Sequence, residues 1–274
     1  MTTGLKNFDI FVKDPRSSKL PNEGVAKVKG AADARTVGEE LSMFVCEGQY
    51  QKGLEMVLRT FLNNVEKEHQ PAVWISGFYG SGKSHLVKVL RYLWMNDALS
   101  DGRTPRDIAA LPADVKDLLK ELDTAGKQKG GNFAAAGILE SAPAEQMPRG
   151  ILAIIYEALG LPTDIGTAEF VLWMRRKGLE EKVKKDVESA GLDYDAELDD
   201  FRVSSDIAKS ICKHDSTLGK TDDDVLDKLN NNFRKDVPVD IDHMVKSINQ
   251  AVTDRFCGKF PCMLLVIDEA QQSL

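Results

Sequence analysis

Ala72-Val73-Trp74-Ile75-Ser76-Gly77-Phe78-Tyr79-Gly80-Ser81-Gly82-Lys83-Ser84 is the stretch on which the reading of this chain turns. Its first half is a short apolar run after the breaker His69-Gln70-Pro71, and it predicts a buried strand with Trp74 in the core. Its second half satisfies G-x-x-x-x-G-K-[ST]. Beyond it, Leu86, Val87, Leu90, Leu93 and Trp94 recur at helical spacing, so the order is strand, glycine-rich loop, helix. In that order the glycines let backbone N–H groups converge on phosphate oxygens, and the helix adds the positive end of its dipole. The expected ligand is Mg·ATP, held by Gly77, Phe78, Tyr79, Gly80, Ser81, Gly82, Lys83, Ser84 and His85. Lys83 reaches the β- and γ-phosphates and the Ser84 hydroxyl ligates Mg²⁺, while His85 packs at the helix start.

A second motif lies at the other end of the chain. Cys262-Met263-Leu264-Leu265-Val266-Ile267 is a continuous apolar run, as in a central parallel strand buried on both faces, and it delivers Asp268-Glu269 at its end. In parallel α/β sheets ligands sit at that edge. Asp268 is therefore read as the metal-binding carboxylate and Glu269 as the residue that polarises the attacking water, with Lys83 as its catalytic partner on the phosphate. An acid directly after the metal-binding Asp suits water activation better than transfer to an acceptor hydroxyl, so hydrolysis is favoured over a small-molecule kinase. Gln271 is a polar residue leading into a loop.

The rest of the chain supplies the frame. Leu54, Val57, Leu58, Phe61 and Leu62 form one helical face within Gly48 to Val65. A helix is expected at Ala113 to Leu122, a loose linker at Gly126 to Gly131, and a strand at Asn132 to Leu139. Ile151 to Leu159 reads as a helix stopped by Gly160-Leu161-Pro162. Further helices are expected at Thr167 to Lys177, Leu179 to Ala190, Ser205 to Cys212, Asp222 to Phe233 and Asp240 to Phe256. Asp222-Asp223-Asp224 complements a helix N-terminus rather than holding a metal, and Arg175-Arg176-Lys177 suits a helix C-terminus. The expected fold is α/β, a P-loop NTPase core of AAA+-like, three-layer form with a parallel sheet, incomplete at the C-terminus. Its domains are a loosely ordered lead-in over 1–47 and the core over 48–274, which includes a largely helical insertion over 161–258.

Composition narrows the setting. The chain has 274 residues, 42% apolar and 29% charged, ordinary for a globular protein. Its formal charge of -7 argues against a surface devoted to nucleic acid, although a local basic groove stays open; Lys6 to Lys29 reads as a solvated arm. No run approaches the about eighteen apolar residues of a membrane span, and the N-terminus is no signal peptide, so the cytoplasm is expected. Cys46, Cys212, Cys257 and Cys262 form no C-x-x-C pair and match no zinc spacing, which makes reduced, structural cysteine the reading.

Several stretches together resemble the P-loop ATPase of BREX phage-defence systems, the BrxC/PglY family. They are Trp74 to His85, Asn132 to Gly137, Glu157 to Pro162, Phe170 to Arg175 and Val266 to Gln272, within residues 45 to 274. The resemblance implies an ATPase acting in a multi-protein defence complex with other BREX proteins, with homo-oligomerisation and local or indirect DNA contact as further expectations. It also implies a longer protein, of which this chain would be an N-terminal piece, since it stops six residues after Asp268. Two functions follow: an ATPase that drives assembly or remodelling of the complex, or a nucleotide-dependent assembly module that does not hydrolyse.

Overall fold

Apolar residues recur at three and four along most of this chain, and the chain is accordingly mostly helix. The computed structural model describes residues 34–139 and 146–268. The chain divides into two compact units, Met1–Glu121 and Leu122–Leu274.

The first unit holds α1 (Ala34–Met43), α2 (Gly48–Leu62), α3 (Lys83–Met95) and α4 (Pro105–Ile108). The face anticipated for α2 is the face it buries, with Leu54, Val57 and Leu58 inside. On α3, Leu86, Leu90, Leu93 and Trp94 are buried, and Phe61 meets Trp94 edge-on at 4.8 Å between ring centroids. A polar contact joins α1 to α3: the Lys88 ammonium donates to Glu40 at 2.8 Å, and both side chains are largely withdrawn from water. Two charges so placed need one another, because either alone would keep its desolvation cost uncompensated. The far end of α3 is finished by Arg106, whose guanidinium donates to the Leu93 carbonyl at 2.7 Å and whose backbone N–H donates to Asn96 Oδ1 at 3.1 Å. Carbonyls that have no intrahelical partner are thereby satisfied. The short α4 starts with Thr104 and Asp107 in a reciprocal capping box and Pro105 in its first turn.

Helix α5 (Ala113–Lys129) contains the division between the units. It runs through the stretch read as a loose linker. Lys127 and Lys129 in its last turn complement the helix dipole, and the missing side chain of Gly126 leaves room for Asn132.

In the second unit β1 (Asn132–Ile138) is followed by α6 (Met147–Ala158), α7 (Ile165–Lys177), α8 (Glu180–Ser189) and α9 (Tyr194–Asp199). Then come α10 (Ser205–His214), α11 (Asp222–Asn232), α12 (Ile241–Arg255) and β2 (Cys262–Asp268). Five of these seven helix starts are set by side-chain caps: Asp164, Asp193, Ser204, Thr221 and Asp240 each accept from a first-turn amide. The core is built around stacked rings, Phe170 on Phe201 at 4.2 Å with Phe233 tilted against Phe170 at 5.4 Å. Strands β1 and β2 pair in parallel from Asn132↔Cys262 to Ile138↔Asp268. Helix α6 lies close on β1 because Gly137 has no side chain; a Cβ there would come within 2.6 Å of Ile154 Cγ1.

The expected three-layer P-loop core is not found. Among the described residues the sheet has two strands, β1 and β2, in a chain that is otherwise helical. The stretch Ala72 to Ser76 joins no sheet, although Val73 and Ile75 are half-buried and alternate with exposed neighbours. Apolar alternation makes a strand only where a neighbouring strand takes up its backbone N–H and C=O groups, and no described strand lies there. Trp74, expected in the core, is 62% exposed, whereas Trp94 is buried as expected. Strand β2 was expected to be covered on both faces. With a single neighbour it leaves Met263, Leu264, Leu265 and Ile267 half-buried. Helices α7 to α12 occupy the stretch 161–258 that separates the paired strands in sequence. Within the lead-in, α1 is a helix, and residues 1–33, with the basic arm, lie outside the described residues. No described helix is long and apolar enough to cross a membrane.

Gly137→Ala should lower the stability of the second unit by about 1–3 kcal/mol through overpacking against α6. Chemical denaturation measures it, and the loss should fall short of additive with that of Ile154→Ala, which removes the Cγ1 atom the new methyl meets. An alanine variant as stable as the parent would show that α6 does not rest on Gly137.

Candidate functional site

The glycine-rich loop lies wholly in the first unit and enters α3 at Lys83. Gly80 and Gly82 take positive φ, 73° and 79°. Gly82 is the N-cap of α3 and is hemmed in from outside: a Cβ on it would overlap the Tyr50 hydroxyl. That hydroxyl donates to the Ser81 carbonyl at 2.7 Å, fixing the last turn of the loop from the first turn of α2. Tyr50 is itself held by Phe44, edge-on at 6.0 Å between centroids, and Phe44 also touches the His85 ring at 5.7 Å.

A glycine N-cap brings no side-chain oxygen, so α3 begins without a cap. Its first intrahelical bond runs from the Leu86 amide to the Gly82 carbonyl at 2.9 Å. The amides of Lys83, Ser84 and His85 have no acceptor among the described residues. Three donors at the positive end of a helix dipole are an arrangement that can take an anion. The Lys83 ammonium folds back over the loop and donates to the carbonyls of Gly77 and Phe78, each at 2.9 Å. Charged acceptors make stronger partners for an ammonium than neutral carbonyls do, so phosphate oxygens can displace these bonds. Ser84 is half-buried in the first turn of the helix. His85 has its pKa lowered chiefly by burial, with Glu40 opposing the effect and Lys88 adding to it. Phe78 and Tyr79, at the tip of the loop, are 91% and 96% exposed.

The structure thus gathers Gly77 to His85 with Phe44 and Tyr50. It does not place the loop and the acidic motif on one sheet. Asp268 ends β2 in the second unit, half-buried and opposite Ile138 in register. Glu269 and Gln271 lie outside the described residues. Among the described residues no group of three or more His, Cys, Asp or Glu side chains is arranged to hold a metal, and none of the four cysteines is in a disulfide.

No family model matches the chain, and no solved structure matches it. The site therefore stands on its own geometry.

Tyr50 was not singled out from sequence, although a signal existed: it stands four residues before Leu54 and so continues the buried stripe of α2. Tyr50→Phe should cost the first unit about 0.5–1.5 kcal/mol, the worth of one hydrogen bond. Gly82→Ala should cost more than 1 kcal/mol, from φ strain and overlap together. In the double variant the overlap is relieved, so the two losses should fall short of additive in urea unfolding. Strict additivity would mean that Tyr50 and Gly82 do not touch.

Proposed function

We propose that this chain is a P-loop protein that binds Mg·ATP through Gly77 to Ser84, and that it serves as an ATPase in a BREX-type phage-defence complex. The observation that carries the binding half is the uncapped start of α3, where the amides of Lys83, Ser84 and His85 and the Lys83 ammonium stand beside a loop with two positive-φ glycines. These residues fit a polyphosphate: the amides and Lys83 would take its oxygens, and the Ser84 hydroxyl would take Mg²⁺. Bound Mg²⁺ would supply charge neutralisation on the phosphates. Hydrolysis rests on the sequence motif alone, which gives Asp268 as metal carboxylate and Glu269 as the group that orients water. The defence role, with other BREX proteins as partners, self-association and local DNA contact, rests on the resemblance of the sequence segments. The cytoplasm is the proposed location, in keeping with four cysteines that form no disulfide.

One observation favours the second reading, a nucleotide-dependent assembly module. Trp74, Phe78 and Tyr79 cluster in sequence around the loop and are all exposed, the kind of aromatic surface that protein partners cover.

Calorimetric titration of the chain with Mg·ATP, run beside Lys83→Ala, tests the binding reading. Saturable binding lost in the variant is expected; equal binding by both proteins, or none by a folded wild-type chain, contradicts it. Phosphate release that falls at least tenfold in Glu269→Gln supports the ATPase. Release unchanged by that substitution removes Glu269 from its role. ATP-dependent self-association without release supports the assembly module.

A further inference from the structure

A second candidate site lies in the second unit, in the groove between α6, α7 and α12. A cavity of about 390 Å³ opens there over Leu159, Leu161, Leu172 and Ala251, all buried. Its lining also carries three arginines, Arg175 and Arg176 from the last turn of α7 and Arg255 from the last turn of α12, against one carboxylate, Asp254. A helix C-terminus favours positive charge, which accounts for each arginine singly. It does not account for two helix ends bringing three guanidinium groups to one apolar-floored cavity in a chain of formal charge -7.

Their local pairing is uneven. Arg175 is held by Glu180 through two bonds of 2.7 and 3.0 Å. Arg176 lies 3.8 Å from Asp254, too far for a hydrogen bond. Arg255 forms no ion pair among the described residues, and its guanidinium stands 5.9 Å from the centre of the Phe256 ring. A smaller cavity of about 160 Å³ adjoins the first, sharing Leu172 and Arg176. It contains the buried Tyr156 hydroxyl, which makes no well-formed hydrogen bond and has Ser247 beside it.

We infer that this groove binds a small amphipathic anion, an oxyanion head on an apolar body, with the head at Arg176 and Arg255 and the body on the leucine floor. The larger cavity is within the size range of small-molecule sites, which are mostly apolar with a few polar groups that fix orientation. Guanidinium groups present forked donors that match carboxylate and phosphoryl oxygens. The inference is independent of nucleotide binding in the first unit.

Titration calorimetry of the full chain with octanoate and with octyl phosphate tests it, with octanol and acetate as controls that lack the charge or the chain. One saturable site is expected for at least one of the two anions, and the tighter of them identifies the head group. Affinity should fall about tenfold or more in Arg176→Met and in Arg255→Met, the effect of losing one charge-assisted hydrogen bond. Both side chains are exposed, so the variants should keep the parent melting temperature. The inference is overturned by octanol binding as tightly as the anions, by equal affinity in folded variants, or by no saturable binding of either anion.

Discussion

The candidate site depends on one backbone residue, Gly82, held at φ 79° with the Tyr50 hydroxyl where its side chain would be. A left-handed residue at that point turns the loop abruptly into α3, and a residue without a side-chain oxygen leaves the first helical amides uncapped. Five helices of the second unit follow the opposite policy. Asp164, Asp193, Ser204, Thr221 and Asp240 all cap their helices with side-chain oxygens. The start of α3 forgoes that stabilisation, and an anion is the partner that would restore it.

Around this turn the first unit is arranged to hold α3 still. The buried Lys88–Glu40 pair fixes the helix against α1, Phe61 and Trp94 pack it against α2, and Arg106 closes its far end. Tyr50 and Phe44 brace its near end through Ser81 and His85. A donor array is useful to a ligand when it needs no reorganisation on binding, and these contacts restrain it in advance.

The sequence made the site more legible than the fold. Gly77 to Ser84 is a local pattern, and its geometry follows from the conformational freedom of glycine and the start of a helix, both of which are short-range properties. Helices with a regular apolar face, such as α2 and α12, were equally readable, because the 3.6-residue period is local too. Short capped helices such as α9 escaped notice because they are too brief to show a period. Strand pairing is a long-range property. The apolar runs at Ala72 to Ser76 and at Cys262 to Ile267 look alike as sequence, yet one lies beside β1 and the other beside no described strand. That difference removed the expected multi-stranded sheet and with it the basis for setting Asp268 across from the loop. The helical period puts Tyr50 on the buried stripe of α2, but its bond to the Ser81 carbonyl spans more than thirty positions and is not encoded in that period.

In the function proposed for this chain, the backbone amides at the start of α3 take an anionic phosphate chain. The most direct measurement is the amide ¹⁵N–¹H spectrum of the chain during titration with Mg·ATP. The largest shifts are expected on Gly80 to His85, with Tyr50 responding through the Ser81 carbonyl. Saturable ATP binding whose shifts lie elsewhere, with Lys83, Ser84 and His85 unmoved, would contradict that function.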